Sequence, residues 1–566
     1  MKKINFFILI TLIISLSFSN PILSKNFDEI KKEVKKYYKG LEFQMPELKV
    51  PSFPNKKYII TEFGAKGDGV TINTEAFAKA IDACSKNGGG SVIVPPGLWL
   101  TGPISLKNNV NLHLMQGAHI QFTKNFDDYP LVETTYEGTN QYRCTSPISG
   151  FNLENIAITG QGIIDGGGDA WRPVKKYKLT ANQWKELISS GGVVDKSGNT
   201  WWPSEQAMNG EKILSELKKT KKELTKEDYE KVRDFLRPVM VNLVNCKNIL
   251  LDGVTFQNSP AWNLHPLMSE NIIVRNITVR NPWYSQNGDG IDVESCKNVI
   301  IYNSKFDVGD DAICMKSGRD EFGRKRGIPT QNVIIADCIV YHGHGGFTIG
   351  SEMSGGVKNI KVMNCNFIGT DVGLRFKSTR GRGGIVENIF IEDIYMTDIP
   401  TQAVSFNMYY GGAAPTEDIP LEEKSKQAVA FEVNEGTPIF RNIFLKNIYC
   451  IGAEDAVVLQ GLPEMPIKNI VLDNVLMNAK KGISIFDADE IKIVNSKIIS
   501  NDPAVKISQS RNITIENFTP SQENNIILQL QGEKTNSIYL KGKNANEIKD
   551  KTKFADDVNK NALIVR

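Results

Sequence analysis

Short stretches of alternating aliphatic and polar residues recur along most of the chain. Each opens on the same signature: Asn or Glu, then Ile or Val, any residue, then an aliphatic. It occurs at Asn155-Ile156, Asn248-Ile249, Asn271-Ile272, Asn298-Val299, Asn332-Val333, Asn359-Ile360, Asn388-Ile389, Asn442-Ile443, Asn469-Ile470, Glu490-Ile491 and Asn512-Ile513. From 248 onward the steps are 23, 27, 34, 27, 29, 54, 27, 21 and 22 residues. A near-constant period of this size marks a solenoid. Alternation of period two over four or five residues makes the repeating element a strand, and no helical period lies between strands. The Leu-x-x-Leu-x-Leu spacing of a leucine-rich repeat is missing. The pattern predicts an all-β chain wound as a parallel β-helix, one unit per coil, with aliphatics inside and asparagines stacked at the turns. The step of 54 reads as two units of 27, and the step of 34 as a coil carrying an insertion.

Three stretches depart from the repeat. Thr74 to Ser85 (TEAFAKAIDACS) has helical periodicity and is expected to cap the N-terminal end. Residues in the 500s lose regularity, as a fraying C-terminal end would. Residues 166 to 240 contain Trp171, Trp184, Trp201 and Trp202, then a charged helical run from about Ser204 to Leu236. That is an insertion between coils, either a lid on the groove or a decoration packed on the coils.

The chain opens as an export signal does. Lys2-Lys3 precede an apolar run over residues 6–14, and Ser17-Phe18-Ser19 supplies small residues for cleavage after Ser19. The run is well under the ~20 residues that span a bilayer. The expected organisation is a signal peptide over 1–19, an N-terminal extension over 20–57, and one β-helix domain over 58–566. The product is expected to be exported, periplasmic or secreted, and off the membrane once the signal is removed.

Composition narrows the partners. Apolar residues make up 41% and charged residues 23% of the 566, ordinary globular usage. The formal charge of +3 falls to about +1 without Lys2 and Lys3, which leaves no global footprint for nucleic acid or an anionic membrane. The eight cysteines do not read as a disulfide framework. Cys246 and Cys296 occupy matching repeat positions, Asn-Cys-Lys-Asn and Ser-Cys-Lys-Asn, where they can stack as small buried hydrophobes. No Cys-x-x-Cys or Cys/His zinc spacing occurs, and nothing calls for a metal or organic cofactor.

Candidate chemistry concentrates between residues 287 and 377. Asn287-Gly288-Asp289 and Gly309-Asp310-Asp311 lie one bare coil apart, so their carboxylates should be neighbours at the ~4.8 Å spacing of paired strands. Adjacent aspartates in a regular strand point to opposite sides, so both face one groove only at a strand end or turn, which Gly309 allows. Gly343-His344-Gly345 and Arg375-Phe376-Lys377 fall on the next two coils, and Arg375 and Lys377 share a strand face. Paired carboxylates are what glycoside hydrolysis needs, one to protonate the leaving oxygen and another to activate water. Crowded like charges raise the pKa of one of them. The cations could bind a substrate carboxylate. Taken singly, each block is also an ordinary turn or strand edge; their co-occurrence at coil spacing favours a site.

These four blocks, in this order, resemble the polygalacturonases, glycoside hydrolase family 28. The resemblance extends to Phe63-Gly64-Ala65-Lys66-Gly67-Asp68-Gly69 and Leu100-Thr101-Gly102-Pro103-Ile104, and covers roughly residues 58 to 515. It implies a right-handed parallel β-helix and an inverting hydrolase of α-1,4 bonds between galacturonic acid residues of pectin. By the same resemblance Asp310 is the general acid, Asp289 and Asp311 hold and activate the water, and His344 supports protonation of the acid. Asn287 belongs to the first block, and Arg375 and Lys377 clamp the sugar carboxylate. A sugar-contacting tyrosine is expected at Tyr409 or Tyr410. Inversion implies ~6.5–9.5 Å between acid and base. Gly288 stands where the family has threonine, and Phe376 where it has isoleucine; neither position carries the chemistry. The insertion Ser317 to Gln331, with Arg319, Arg324, Lys325 and Arg326, resembles exo-acting bacterial members, where a basic loop could close the groove and bind a terminal galacturonate. Its alternative is a solvated loop on an endo-acting enzyme. Another pectic linkage, as in rhamnogalacturonan or xylogalacturonan, stays within the family. A pectate lyase would need Ca²⁺ and an arginine base, and a non-catalytic carbohydrate-binding solenoid would need no three aspartates on adjacent coils.

Overall fold

A computed structural model describes residues 22–412 and 429–566; the expected export signal lies outside the described residues. The repeats form one large sheet system in which each strand pairs in parallel with the strand one coil on. Register follows the asparagine signature. Ile249 faces Ile272, Ile272 faces Val299, Val299 faces Val333 and Val333 faces Ile360. Inside the coils the aliphatics stack in files such as Leu251, Val274, Ile301, Ile335 and Val362, all nearly or fully buried. Each burial removes an aliphatic from water, worth about 1.5–3 kcal/mol per side chain, and the file repeats that gain at every coil.

The turn asparagines do stack. Asn248, Asn271, Asn298, Asn332, Asn359 and Asn388 all adopt φ between 56° and 58°, a left-handed conformation asparagine tolerates better than other side chains. Their amides donate coil to coil, Asn271 to Asn248 at 3.3 Å, Asn332 to Asn298 at 3.1 Å and Asn359 to Asn332 at 3.1 Å. A second ladder, not anticipated, runs through the next turn, with Asn303 donating to Asn276 at 2.6 Å and Asn474 to Asn447 at 2.8 Å.

Two expectations are corrected. The step of 54 is one coil and not two, because Ile389 pairs directly with Ile443. The extra length leaves the coil after Asn407 and returns at Ile439. The chain beyond 500 does not fray either. Strands Val505–Ser508, Arg511–Glu516, Leu528–Gln531 and Asn536–Lys541 continue the ladders, and a helix, Ala545–Asp550, packs at the end. The asparagine signature still holds at Asn512 and is lost one coil on, where Ser537 takes the turn position.

The helix Thr74–Lys86 caps the N-terminal coil as expected, with Phe77, Ala80, Ile81 and Cys84 buried against the first strands. The extension, from the helix Ile22–Lys35 through Val50, lies along the outside of one sheet. Ile30, Val34, Tyr37, Leu48 and Val50 cover an outward-facing row that includes Ala157, Leu250, Ile273, Ile300 and Ile334. Glu33 meets Arg275 at 2.7 Å, and Glu42 meets Lys361 at 2.7 Å. That row explains why the strands of these coils are apolar on both faces.

The insertion leaves the coil after Asp165 and returns at Val241. It holds a three-stranded antiparallel sheet and the helices Ala181–Ser189 and Glu205–Thr220. Trp171 is buried against Phe126, Tyr129 and Leu131 of the preceding segment, and Trp184 and Trp201 are buried together with Val174 of the insertion. A second excursion, unannounced by the sequence, is the antiparallel hairpin Leu131–Tyr136 and Thr139–Cys144. The eight cysteines are all buried free thiols. No helix among the described residues is long and apolar enough to cross a membrane.

Candidate active site

Asp311 opens the strand Asp311–Lys316, and Asp310 sits in the turn just before it. Asp289 lies one coil back, in the turn before Ile291–Glu294, where Gly290 N donates to Asp311 O at 2.9 Å. The two aspartates of the second block therefore do share one side, as a strand start allows. Gly309 is needed for close approach and not for a left-handed backbone: a Cβ there would come within 2.5–2.7 Å of Ser285 Oγ, Ser285 O and Pro282 O. Gly345, across from Asp311 on the next coil, is required in the same way. A Cβ there would lie 2.2 Å from Thr348 Oγ1 and 3.0 Å from Asp311 Oδ1.

One carboxylate oxygen each from Asp289, Asp310 and Asp311 lies within 4.8 Å of the others. This is shorter than the ~6.5–9.5 Å expected for an inverting pair and corrects that expectation; the spacing is close to that of retaining enzymes, so inversion rests on the family resemblance and is to be read from the anomer of the product, not from this distance. The cause is the scaffold: groups in register on neighbouring coils are separated by one strand spacing, about 4.8 Å.

The three carboxylates differ in surroundings. Asp311 accepts from Lys377 Nζ at 2.7 Å, Arg375 Nη1 at 3.1 Å and Thr348 Oγ1 at 3.0 Å. Burial pushes its pKa up, but Lys377 and then Arg375 outweigh that and hold it well below the usual carboxylate range. Asp289 is held well above that range, by burial first and then by the charges of Asp292 and Asp310. Lys316 Nζ stands 3.6 Å from it, 3.0 Å from Asp292 and 3.7 Å from Glu352, over the ring of Trp262 at 3.6 Å. Burial pushes Asp292 up to about 6 despite Lys316 and His265. Beneath these Glu294, fully buried, meets the fully buried His265 Nε2 at 2.9 Å and the largely buried side chain of Arg326 at 2.6 Å.

His344 Nε2 pairs with Asp371 at 3.0 Å, and its Nδ1 faces Asp310 at 3.9 Å. The bond to Asp371 raises the His344 pKa, against burial. Asp371, Lys316, Glu352 and Trp262 were not singled out from the sequence. Asp371 stands 27 residues after His344, one coil on, and that spacing was the available signal.

A cleft of about 570 Å³ opens over this cluster, lined by Asn287, the three aspartates, Lys316, Lys377, Arg382, Tyr410, Glu137 and Arg319 among others. Arg375 reaches the cluster through Asp311, and Asn287 Oδ1 accepts from Arg237 at 2.7 Å. Tyr410 is half-exposed at the cleft, 4.9 Å from Lys377, whereas Tyr409 is buried in the core, so Tyr409 is corrected and Tyr410 remains. Of the basic insertion only Arg319 reaches the cleft. Arg324 is corrected: it donates to the carbonyls of Gly381 and Arg382 and fastens two loops together. Arg326 is buried on Glu294, and Lys325 pairs on the surface with Glu321.

The groove is crossed. The hairpin tip carries Tyr136, Glu137 and Gly138, and Gly138 O accepts from Arg319 N at 3.2 Å. Tip and basic loop form a bar between the cleft and a separate cavity of about 470 Å³ that lies over the earlier coils, at Ser105, Ser149 and Asn242. Beside the bar, a recess of about 620 Å³ shares Glu137, Asn287 and Arg319 with the cleft and is walled by Trp202, Lys175 and Lys218 of the insertion.

Comparison with known proteins agrees with this arrangement. Residues 173–437 match the family model Glycosyl hydrolases family 28, and residues 59–182 match Rhamnogalacturonase A/epimerase, pectate lyase-like. An exo-poly-alpha-D-galacturonosidase of Dickeya chrysanthemi is 29% identical over 473 residues, 81% of this chain and 74% of that protein. An endo-polygalacturonase of Pectobacterium carotovorum subsp. carotovorum is 27% identical over 358 residues, 61% of this chain and 74% of that protein. The crystal structure of a hyperthermoactive exopolygalacturonase from Thermotoga maritima superposes with a TM-score of 0.66 at 31% identity, over 88% of this chain and 96% of that one. With the carboxylates, the histidine and the cations on successive coils, these matches make the chain a glycoside hydrolase, a member of glycosyl hydrolases family 28.

Proposed function

We propose that this enzyme removes galacturonic acid residues one at a time from the end of a pectic chain, by hydrolysis of α-1,4 bonds with inversion. Asp310 gives its proton to the glycosidic oxygen. Asp289 and Asp311 hold a water against the opposite face of the anomeric carbon, and one of them takes its proton as the C–O bond forms and the bond to the leaving sugar breaks. His344, whose protonated form the bond to Asp371 favours, returns a proton toward Asp310 after turnover. Asp311 stays ionised because Lys377 and Arg375 hold it so. Those cations, with Tyr410, also take the substrate carboxylate and ring. Burial and the neighbouring carboxylates favour the protonated form of Asp289, so the ionised Asp311 is the member of the pair placed to take the water's proton.

The single observation that carries exo action is the bar across the groove, where Gly138 O meets Arg319 N at 3.2 Å. A polymer cannot run through it, so a chain end must enter the cleft. Arg319 and Arg382 stand at the closed end and suit the carboxylate of a terminal unit. The Lys2-Lys3 and apolar 6–14 segment supports export to the place where a pectic polymer would be met.

The test is a timed product profile on polygalacturonate, with the anomer of the first product read by proton NMR. Monomer from the earliest time, slow loss of viscosity, no ultraviolet absorbance and the inverted anomer are expected. Mixed oligomers would overturn exo action, a retained anomer would overturn the single displacement, and absorbance would indicate a lyase.

A further inference from the structure

Outside the cleft, a second feature has the chemistry of an acidic sugar site. Trp283 lies in the turn that leads to Asp289, and its indole is 51% exposed, unusual for so large an apolar ring. Lys178, from the insertion, holds its Nζ 4.8 Å from the centre of that ring. Tyr177, 74% exposed, has its ring centre 5.8 Å from the same ammonium. The two elements are locked together, because Tyr284 packs among Val174, Trp184 and Trp201 of the insertion while meeting Trp283 edge-on. The aromatic faces are thus presented by a fixed joint.

The ring borders an open groove of about 860 Å³ along the side of the solenoid, with exposed Arg280 in its lining. The groove's acids are already occupied. Asp169 is bonded to Lys124 at 2.6 Å, Asp307 to His342 at 2.9 Å, and Asp165 accepts from Gln257 and Asn258. Lys178 and Arg280 have no carboxylate at ion-pair distance among the described residues, so these two cations can meet an anionic ligand. Lys178 also stands near the catalytic wall: after the bond to His344, it is among the charges that hold Asp371 low.

We propose that Trp283, Tyr177 and Lys178 form a surface site for the galacturonan polymer, separate from the cleft, which holds the chain beside the entrance to the active site. The sugar ring lies on an aromatic face, and its carboxylate meets Lys178 and Arg280. This rests on the substrate class proposed above.

Binding is measured by titrating polygalacturonate, and separately digalacturonate, into the inactive Asp310→Asn protein and into the same protein carrying Trp283→Ala, Trp283→Phe or Lys178→Ala. Trp283→Ala and Lys178→Ala are each expected to weaken polymer binding about tenfold, the scale of one stacked or charged contact. The ratio of polymer to dimer affinity should fall by the same factor, and Trp283→Phe should restore most of it. Unchanged polymer affinity would overturn the site. An equal loss for polymer and dimer would overturn it too, since it would mean that the turn bearing Asp289 had been disturbed. If the wild-type protein binds galacturonan without cutting it, the proposed activity fails while the same titrations still decide the surface site. If it binds neither ligand, both fail.

Discussion

Lys377 and Arg375 each direct a donor at Asp311, so the same two cations that suit a substrate carboxylate also set the charge of a catalytic group. Two substitutions separate these roles. Asp310→Asn removes the proposed acid without touching the cations, and hydrolysis should fall about 10²–10⁴-fold with the melting temperature unchanged. Near wild-type turnover would remove Asp310 from that role. Lys377→Ala should raise KM about tenfold and also move the acid limb of kcat/KM toward neutral pH. The sign follows from the shift: Asp311 is held below its usual range, so losing Lys377 raises its pKa and the ionised form is lost at higher pH. An unmoved acid limb, measured across the acid range, would leave Lys377 as a substrate ligand alone. The residues missed from the sequence belong to this scale. Lys316, Glu352 and Asp371 matter through contacts one or two coils away, and no spacing within a single block announces them.

Between elements, the strands Leu264–Leu267, Ile291–Glu294 and Asp311–Lys316 carry a buried polar file beneath the cleft. Against a burial penalty that pushes it up, its bond to His265 and the charges of His265 and Arg326 pull Glu294 down to about 2. A group depressed in this way stabilises the fold above its unfolded pKa and loses that contribution as pH falls. For Glu294 the window runs from about 4.5 down to about 2. Glu294→Gln should therefore lower stability by roughly 3 kcal/mol near neutral pH, since it strands buried charge on Arg326. The deficit should shrink as the acid end of that window is reached. A melting temperature equal to wild type at neutral pH would rule the trio out as a support of the site. The N-terminal extension is a second relation between elements: it covers the row Leu250, Ile273, Ile300 and Ile334. Those strands read as apolar on both faces, but the chain does not say locally what covers the outer one.

Over the whole molecule, the groove is a long strip of sheet that two excursions interrupt. Replacing residues 135–140 of the hairpin by a short Gly-Gly turn should open the bar. The first products from polygalacturonate should then change from monomer to a mixture of oligomers, with the melting temperature checked in parallel. Monomer alone from the shortened hairpin would mean that the insertion, through Trp202 and Lys175, closes the groove instead. The scaffold also fixes how far apart catalytic groups can sit. Asp289 and Asp311 are in register on neighbouring coils, about one strand spacing apart, and Asp310 directly precedes Asp311, so the three aspartates crowd within 4.8 Å.

The amino-acid sequence by itself determined the coil. The asparagine signature, the aliphatic files and the order of the four blocks are local and periodic, and in a solenoid each unit packs only on its neighbours, so period translates directly into position. That is why Asp289, Asp310, Asp311, His344, Arg375 and Lys377 could be brought together on paper. Where the period broke, so did the reading. The step of 54 was divided by arithmetic into two coils, although Ile389 and Ile443 are direct partners. Tyr409 and Tyr410 are adjacent in the turn after the strand Ile385–Asn407, and only packing buries one and turns the other to the cleft. The tertiary structure alone decided the excursions: the hairpin that meets Arg319, the turn of Arg324 away from the cleft, and the meeting of Lys178 with Trp283. A loop that leaves the coil carries no repeat. Its partner is set by where its path ends, through contacts between residues 57 to 181 positions apart, from Arg324 with Gly381 to Gly138 with Arg319.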